Sequence, residues 1–365
     1  YYLGYSGDII FGRSADGHRA LHRDDNTLID AGDTVIIPHL ADTLSTIAVE
    51  GARVFYEGEI ARAISDHCRD GDGMLTYEDL ASYRAIEREP LVNRIGDWQL
   101  ATNPPPAVGG SMLTAMLLAC ADLDIETWDS NALLQLINAQ RACLDFRQRR
   151  LDLADEVGPA VAQLVEAARD GSLLARWTSA STVHTSVVDD NGSGCAITAS
   201  SGYGSGEMPA GTGLWLNNCV GEIELNRRGL DAGPPGARLP SNMAPSVARR
   251  DGAVIAVGSP GADRITTALQ QFLINYLQLG MPLAEAIAHP RVHVDTSGDT
   301  INLKAEPGLD LPELDLPVSV FPELVMYFGG VGAAVFDTRT GFDVGADPLR
   351  EGGICNPDAC RSVTP

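Results

Sequence analysis

Along the first half of the chain, apolar positions recur at helical spacing. Leu40, Leu44, Ile47 and Ala48 share one face, which predicts an amphipathic helix over 38–50. Gly58 to His67 reads as a second helix. Ser130 to about Ala154 carries Leu133, Leu136, Ile137 and Leu144 on one side and predicts a long helix, with another over 159–170. Residues 1–35 show no period and are rich in Gly, Asp and Arg, so an irregular surface loop is expected there. Trp98 to Thr102 reads as a short strand. After it, Pro104, Pro105 and Pro106 lock φ and make a stiff wall that opens into a helix over Ser111–Ala121.

At Thr182 the texture changes. Thr182–Asp189 alternates as a strand, Asp190-Asn191-Gly192-Ser193 reads as a hairpin turn, and Cys195–Ser200 as its partner strand. Glycines then crowd in at Gly202, Gly204, Gly206, Gly211 and Gly213, and Leu214-Trp215-Leu216 is expected to be a short strand. Residues 221–240, with Gly233-Pro234-Pro235-Gly236 and Pro240, form a shaped loop. Ser246–Arg249 and Ala253–Gly258 make a hairpin about Asp251-Gly252. A helix follows over Ile265–Leu279, closed by Gly280. Another starts at Pro282 and ends at Pro290, and strands and turns continue to Gly353.

The junction of the two textures has chemical meaning. A threonine at the head of a strand, cut from Ser181, would hold both a hydroxyl and a free α-amine that can act as its base. The competing reading is an ordinary strand threonine, since Thr is a common strand former. His184 lies two residues on and therefore on the same strand face as Thr182. It is either a site residue or a hydrogen-bonded core histidine.

Composition narrows the field. The chain has 365 residues, 44% hydrophobic and 21% charged, with a formal net charge of -23 and a pI near 4.5. So acidic a chain is a poor partner for nucleic acid or an anionic membrane. No apolar run reaches the roughly 18 residues a membrane span needs. A small-molecule substrate is expected. Asp70 to Asp79 imitates a calcium loop but fails it, because Cys68 and Asp79 occupy the end ligand positions. Thr76 with Asp79 reads instead as a capping box. No metal or other cofactor is expected. Of seven cysteines, Cys68, Cys120 and Cys143 sit in apolar helical sequence and read as buried thiols, while Cys355 and Cys360 could pair or bind a metal. The chain begins at Tyr1 with no visible signal peptide. A cytoplasmic location is expected, with a periplasmic or secreted one open because an N-terminal part could be missing.

Several motifs in order give the second half a resemblance to the γ-glutamyltransferase family of N-terminal nucleophile hydrolases. Thr182-Val-His184-Thr-Ser186-Val-Val-Asp189 resembles the stretch after that family's self-cleavage site. Gly204-Ser-Gly206, Pro209-x-Gly211-Thr-Gly213 and Leu216-Asn217-Asn218 follow as in the family. Arg238-Leu-Pro-Ser241-Asn242-Met243-Ala-Pro245 resembles its serine-serine-methionine segment, and Gly258-Ser-Pro260-Gly261-Ala262-Asp-Arg264-Ile265 its oxyanion loop. Gly32-Asp33-Thr34, Phe55-Tyr-x-Gly58, Leu75-Thr-x-Glu78-Asp79-Leu80, Pro104-Pro-Pro106 and Gly345-Ala-Asp347-Pro348 also fit, so the likeness covers about 30–353.

The resemblance implies an α+β fold, a four-layer αββα sandwich. A helix-rich part, 1–181, and a sheet-rich part, 182–365, would intertwine as one domain. It implies self-cleavage between Ser181 and Thr182, the products staying together as a heterodimer with further oligomerisation open. It implies Thr182 as nucleophile, Gly261 and Ala262 as oxyanion donors, and Ser200, Glu222, Ser241 and Asn242 as substrate-binding residues. The activity implied is transfer of a γ-glutamyl group from an amide such as glutathione to water or an amine. The departures lie in the pocket. The family's carboxylate-binding arginine, in a further N-terminal segment, has no match here. Asn242 replaces its second serine, and Cys219 and Glu222 stand where it has glutamine and aspartate. Two alternatives follow: the same machinery on another acyl amide, such as a β-lactam side chain or a pathway-specific intermediate, or an uncleaved, inactive relative that binds.

Overall fold

The computed structural model describes residues 6–30, 32–121, 125–152, 154, 156–170, 182–222, 234–296, 301–350, 352–357 and 359–363. The fold is α+β, and the chain divides into two compact units, Tyr1–Glu87 with Tyr203–Cys219 and Arg88–Gly202 with Val220–Pro365.

The first unit is helical. A π turn (Gly7–Phe11) leads to α1 (Ala15–Leu21), followed by α2 (Leu40–Glu50), α3 (Arg53–Glu57), α4 (Glu59–Asp70) and α5 (Tyr77–Ser82). Residues 1–35 are thus not simply the expected loop. α1 is too short to establish a period, yet Ser14 caps it by accepting from Gly17 N–H at 3.2 Å, and Ala20 and Leu21 are buried. The capping box at α5 forms as the sequence predicts. Asp79 N–H donates to Thr76 Oγ1 at 3.1 Å and Thr76 N–H to Asp79 Oδ2 at 2.9 Å. The expected strand at Leu214–Leu216 is absent. Gly204, Gly206, Gly211 and Gly213 all have positive φ, which bends this stretch away from the pleat. Leu216 N–H instead donates to Glu207 O at 2.9 Å, and the Trp215 indole to Phe11 O at 3.0 Å.

In the second unit α6 (Val108–Leu118), α7 (Ser130–Phe146), α8 (Val157–Asp170), α9 (Arg264–Leu273) and α10 (Leu283–Ala288) accompany the strands. β1 (Leu91–Ile95) and β2 (Trp98–Thr102) form a hairpin, as do β3 (Val183–Val188) with β4 (Gly194–Ala199) and β5 (Ser246–Arg250) with β6 (Ala253–Gly258). β7 (Val292–Asp295), β8 (Asn302–Ala305) and β9 (Val318–Val320) make a small sheet. β10 (Gly332–Asp337) and β11 (Gly341–Ala346) complete an antiparallel sheet of order β1-β2-β5-β6-β10-β11. Leu100, Ile255 and Val257 from this sheet share a core with Met112, Met116, Leu164, Leu269 and Phe272 from the helices. On its other face lies the β3–β4 hairpin, packed against β6 and β10.

Both long helices end differently from expectation. α7 passes at Phe146 into a π turn (Arg147–Leu151), and α9 at Leu273 into another (Ile274–Gln278). A π turn adds a residue to the helical repeat, so side chains beyond it leave the stripe that periodicity anticipates. Arg147, which charge alone would place on the surface, is buried. Cys355 and Cys360 are joined as a disulfide that closes β12 (Gly353–Cys355) onto β13 (Cys360–Ser362), which settles their pairing. Among the described residues no helix is long and apolar enough to cross a membrane, and no metal-binding cluster is found.

Candidate active site

Thr182 stands at the head of β3, half-buried, on the wall of a cavity of about 920 Å³. Ser186, Pro260, Gly330, Phe342 and Asp347 line the same cavity. β3 alternates strictly. Val183, Thr185 and Val187 are exposed, while His184 and Ser186 turn toward the six-stranded sheet. His184 is held on both ring nitrogens, Nδ1 at 2.8 Å from Thr198 Oγ1 and Nε2 at 2.7 Å from Ser186 Oγ, and Ser186 Oγ donates to Gly332 O at 3.3 Å. Its ring lies so close to Gly258 that a methyl there would fall 2.3 Å from it. Burial pushes the His184 pKa down to about 4, so the ring is neutral near pH 7. His184 is hydrogen-bonded on both ring nitrogens, yet it is only half-buried and lines the same cavity as Thr182, so both readings of it stand.

Pro260, across the cavity, leads into Gly261 and Ala262. Their φ angles are +126 and +64. Both lie in positive-φ backbone, which an L-residue such as Ala262 adopts at a cost of about 1 kcal/mol or more. Both residues are buried, and among the described residues neither N–H donates to a protein acceptor. Buried N–H groups left open are rare in folded proteins. The turn is pressed against Gly329, since a methyl on Gly261 would fall 2.7 Å from the Gly329 Cα. Ser259 Oγ fixes the contact by accepting from Gly330 N–H at 3.0 Å and donating to Pro260 O at 2.6 Å.

Ser241 and Asn242 lie at the start of α6. Val108 N–H and Gly109 N–H donate to Ser241 O at 2.8 and 2.9 Å, and a methyl on Gly109 would fall 2.1 Å from Asn242 O. Asn103 in the proline wall donates to Met243 O at 2.9 Å. The Asn242 amide, expected to face substrate, donates to Asp263 Oδ1 at 2.7 Å. Arg147 Nη1 meets the same oxygen at 3.2 Å, and its Nε bonds Asp152 Oδ1 at 3.0 Å. Burial works against the Arg147 charge, but Asp152 and Asp263 outweigh it and hold the guanidinium above its ordinary pKa. Asp152 and Asp263 are themselves buried. Sequence reasoning missed this buried cation; the available signal was that Arg147 continues the stripe of Gln140, Cys143 and Leu144 at helical spacing.

A second buried group braces the other wall. Arg291 pairs with Asp347, donates to Phe328 O at 3.1 Å and Ile287 O at 2.7 Å, and its N–H donates to Glu306 Oε2 at 2.8 Å. Burial raises the Glu306 pKa to about 7.

Of the residues singled out from sequence, the structure thus places Thr182 on the cavity wall and Gly261 and Ala262 directly after its wall residue Pro260. Ser200, Glu222, Ser241 and Asn242 do not line that cavity. Ser200 Oγ accepts from Gly202 N–H at 3.2 Å, and Glu222 is buried. Ser181, and with it the proposed scissile bond, lies outside the described residues.

Residues 13–356 match the model of the Gamma-glutamyltranspeptidase family. The chain belongs to this family. It is 29% identical over 321 residues to the glutathione hydrolase proenzyme of Escherichia coli, a match covering 78% of the chain and 55% of the relative. It is 29% identical over 340 residues to the capsule biosynthesis protein CapD proenzyme of Bacillus anthracis, covering 89% of the chain and 62% of the relative. The chain therefore spans little more than half the length of these gamma-glutamyltranspeptidase relatives. Its fold is similar to the cephalosporin acylase of Bacillus halodurans, with a TM-score of 0.72 at 21% identity over 96% of this chain and 68% of that one.

Proposed function

We propose that this chain is the catalytic body of a self-processing γ-glutamyl hydrolase or transferase, with Thr182 as its N-terminal nucleophile. The observation that carries this reading is the Gly261–Ala262 turn: two buried N–H groups without an acceptor among the described residues, on a strained backbone next to the cavity wall that Thr182 shares. In processing, Thr182 Oγ attacks the Ser181 carbonyl. The acyl group moves from nitrogen to oxygen, which frees the α-amine, and water then opens the ester to release the Ser181 carboxylate and restore the Thr182 hydroxyl. In turnover that amine takes the hydroxyl proton as Oγ attacks a substrate amide. The proton passes to the departing amine nitrogen as the C–N bond breaks, and water or an acceptor amine releases the acyl-enzyme. The Gly261 and Ala262 N–H groups hold the oxyanion in both reactions, and one such donor is worth about 3–4 kcal/mol of barrier.

In this reading the helix-rich and sheet-rich parts, 1–181 and 182–365, stay together as an intertwined heterodimer after cleavage. The fold is a four-layer αββα sandwich. Its support is that the six-stranded sheet packs helices on one face and the β3–β4 hairpin on the other. Ser241, Glu222 and Ser200 bind substrate. The location proposed is cytoplasmic.

A second reading, another acyl amide as substrate, is favoured by Asn242. One of its two amide N–H donors is held by Asp263, and the residue does not line the cavity. One experiment tests both readings. Wild type should run as two bands and hydrolyse an anilide, while Thr182→Ala should stay whole and lose turnover by roughly a millionfold. A γ-glutamyl anilide compared with an acyl anilide lacking the α-amine and carboxylate then assigns the substrate. A wild type that remains uncut and inert removes the enzyme reading and leaves the binding relative.

A further inference from the structure

Asp263 holds the helix-start position of α9, where an aspartate carboxylate ordinarily accepts N–H groups of its own first turn. Here it makes no such cap. The carboxylate faces away from its helix and takes Arg147 and the Asn242 amide instead. A buried ion pair is weak support for stability, because desolvating both charges offsets their attraction, so its value lies in fixing a geometry.

That geometry belongs to the turn immediately before it. Asp263 follows Ala262 directly, and Ala262 sits in left-handed backbone that an alanine leaves unless its surroundings hold it. Gly329 and Ser259 press on the turn from one side. Arg147 and Asn242 fasten its far end to the π turn after α7 and to the start of α6.

We infer that Arg147 and Asp263 are positioning residues, a buried pair that holds the Gly261–Ala262 N–H groups in the arrangement an oxyanion requires. The inference rests on the proposed activity only for its catalytic consequence. Without the Asp263 charge, Arg147 keeps Asp152 but loses its tie to the turn, and Ala262 is free to relax toward ordinary helical φ. The transition state would lose its donors, while no contact with the bound substrate is assigned to Arg147 or Asp263.

The test uses Asp263→Asn, Arg147→Gln and Arg147→Lys in the full chain. Asparagine keeps the shape and an acceptor oxygen, and lysine keeps the charge. Hydrogen exchange of a peptide covering 258–266 is followed beside one from β10–β11. Asp263→Asn and Arg147→Gln should speed exchange in the first peptide at least tenfold and leave the second unchanged. In turnover they should lower kcat by about 10–100-fold with KM within threefold, and Arg147→Lys should recover most of kcat. Equal exchange in both peptides, or a kcat per folded molecule equal to wild type, overturns the inference. If wild type itself shows no turnover, the proposed activity falls, and the exchange measurement still decides whether the pair holds the turn.

Discussion

Two hairpins of one unit face each other and differ in nearly every respect. In β5–β6 the second strand is buried at every position, Ala253 to Gly258, between helices on one side and β3–β4 on the other. β3–β4 is half-buried on one face only, where His184 is bonded to both Ser186 and Thr198. Its outer face shows Val183, Val187 and Ile197. The first hairpin holds the fold together and delivers the Gly261–Ala262 turn at its end. The second contributes little apolar burial and places Thr182. In the proposed reaction the buried strand leads to the turn whose N–H groups need a fixed direction, and the half-buried hairpin carries the group that would form the covalent intermediate.

The largest effect expected is in the buried strand. Ile255→Ala should lower unfolding free energy by about 3–4 kcal/mol, because a fully buried side chain leaves a cavity. Denaturant unfolding measures it, and a loss below about 1 kcal/mol would show that β6 is no more vital than β3.

Next comes acid sensitivity. The unfolded chain takes up a proton at His184 below about pH 6.5, while the folded one resists until about pH 4. The histidine therefore contributes full stability above pH 6.5, which is lost as the pH falls toward 4. The slope is about 1.4 kcal/mol per pH unit. His184→Asn should flatten the stability curve in that window by about this slope, read from urea midpoints at a series of pH values. An unchanged slope would remove the buried histidine from the hairpin interface.

Gly258→Ala sits where the two hairpins touch. Its methyl displaces the His184 ring from both hydroxyl partners and should cost about 1–3 kcal/mol. In a double variant with His184→Ala most of that cost should vanish, which thermal unfolding would report. Full additivity would mean the clash lies elsewhere.

Smallest is the outer face. Val187→Thr, at 57% exposed, should change stability by less than about 0.5 kcal/mol. A loss above about 1 kcal/mol would mean that this face is covered in solution.

Much of this was legible along the chain. Leu40, Leu44 and Ile47 marked α2, because a helix of eleven residues repeats its apolar face often enough to be seen. Alternation and Asn191-Gly192 marked the β3–β4 hairpin, and Thr76 with Asp79 marked a cap, since all are local rules. Thr182, Gly261 and Ala262 stood out through the family resemblance, and their motifs are continuous in sequence. What the sequence did not decide was the partner of each charged side chain. Arg147 and Asp263 are 116 residues apart, and only the packing that sets the end of α7 beside the start of α9 brings them together. Nor could it show that His184 bonds both Ser186 and Thr198, because alternation assigns a face but not what that face meets. Local periodicity determines elements. Which buried groups pair depends on how those elements pack, and that depends on distances only the folded chain has.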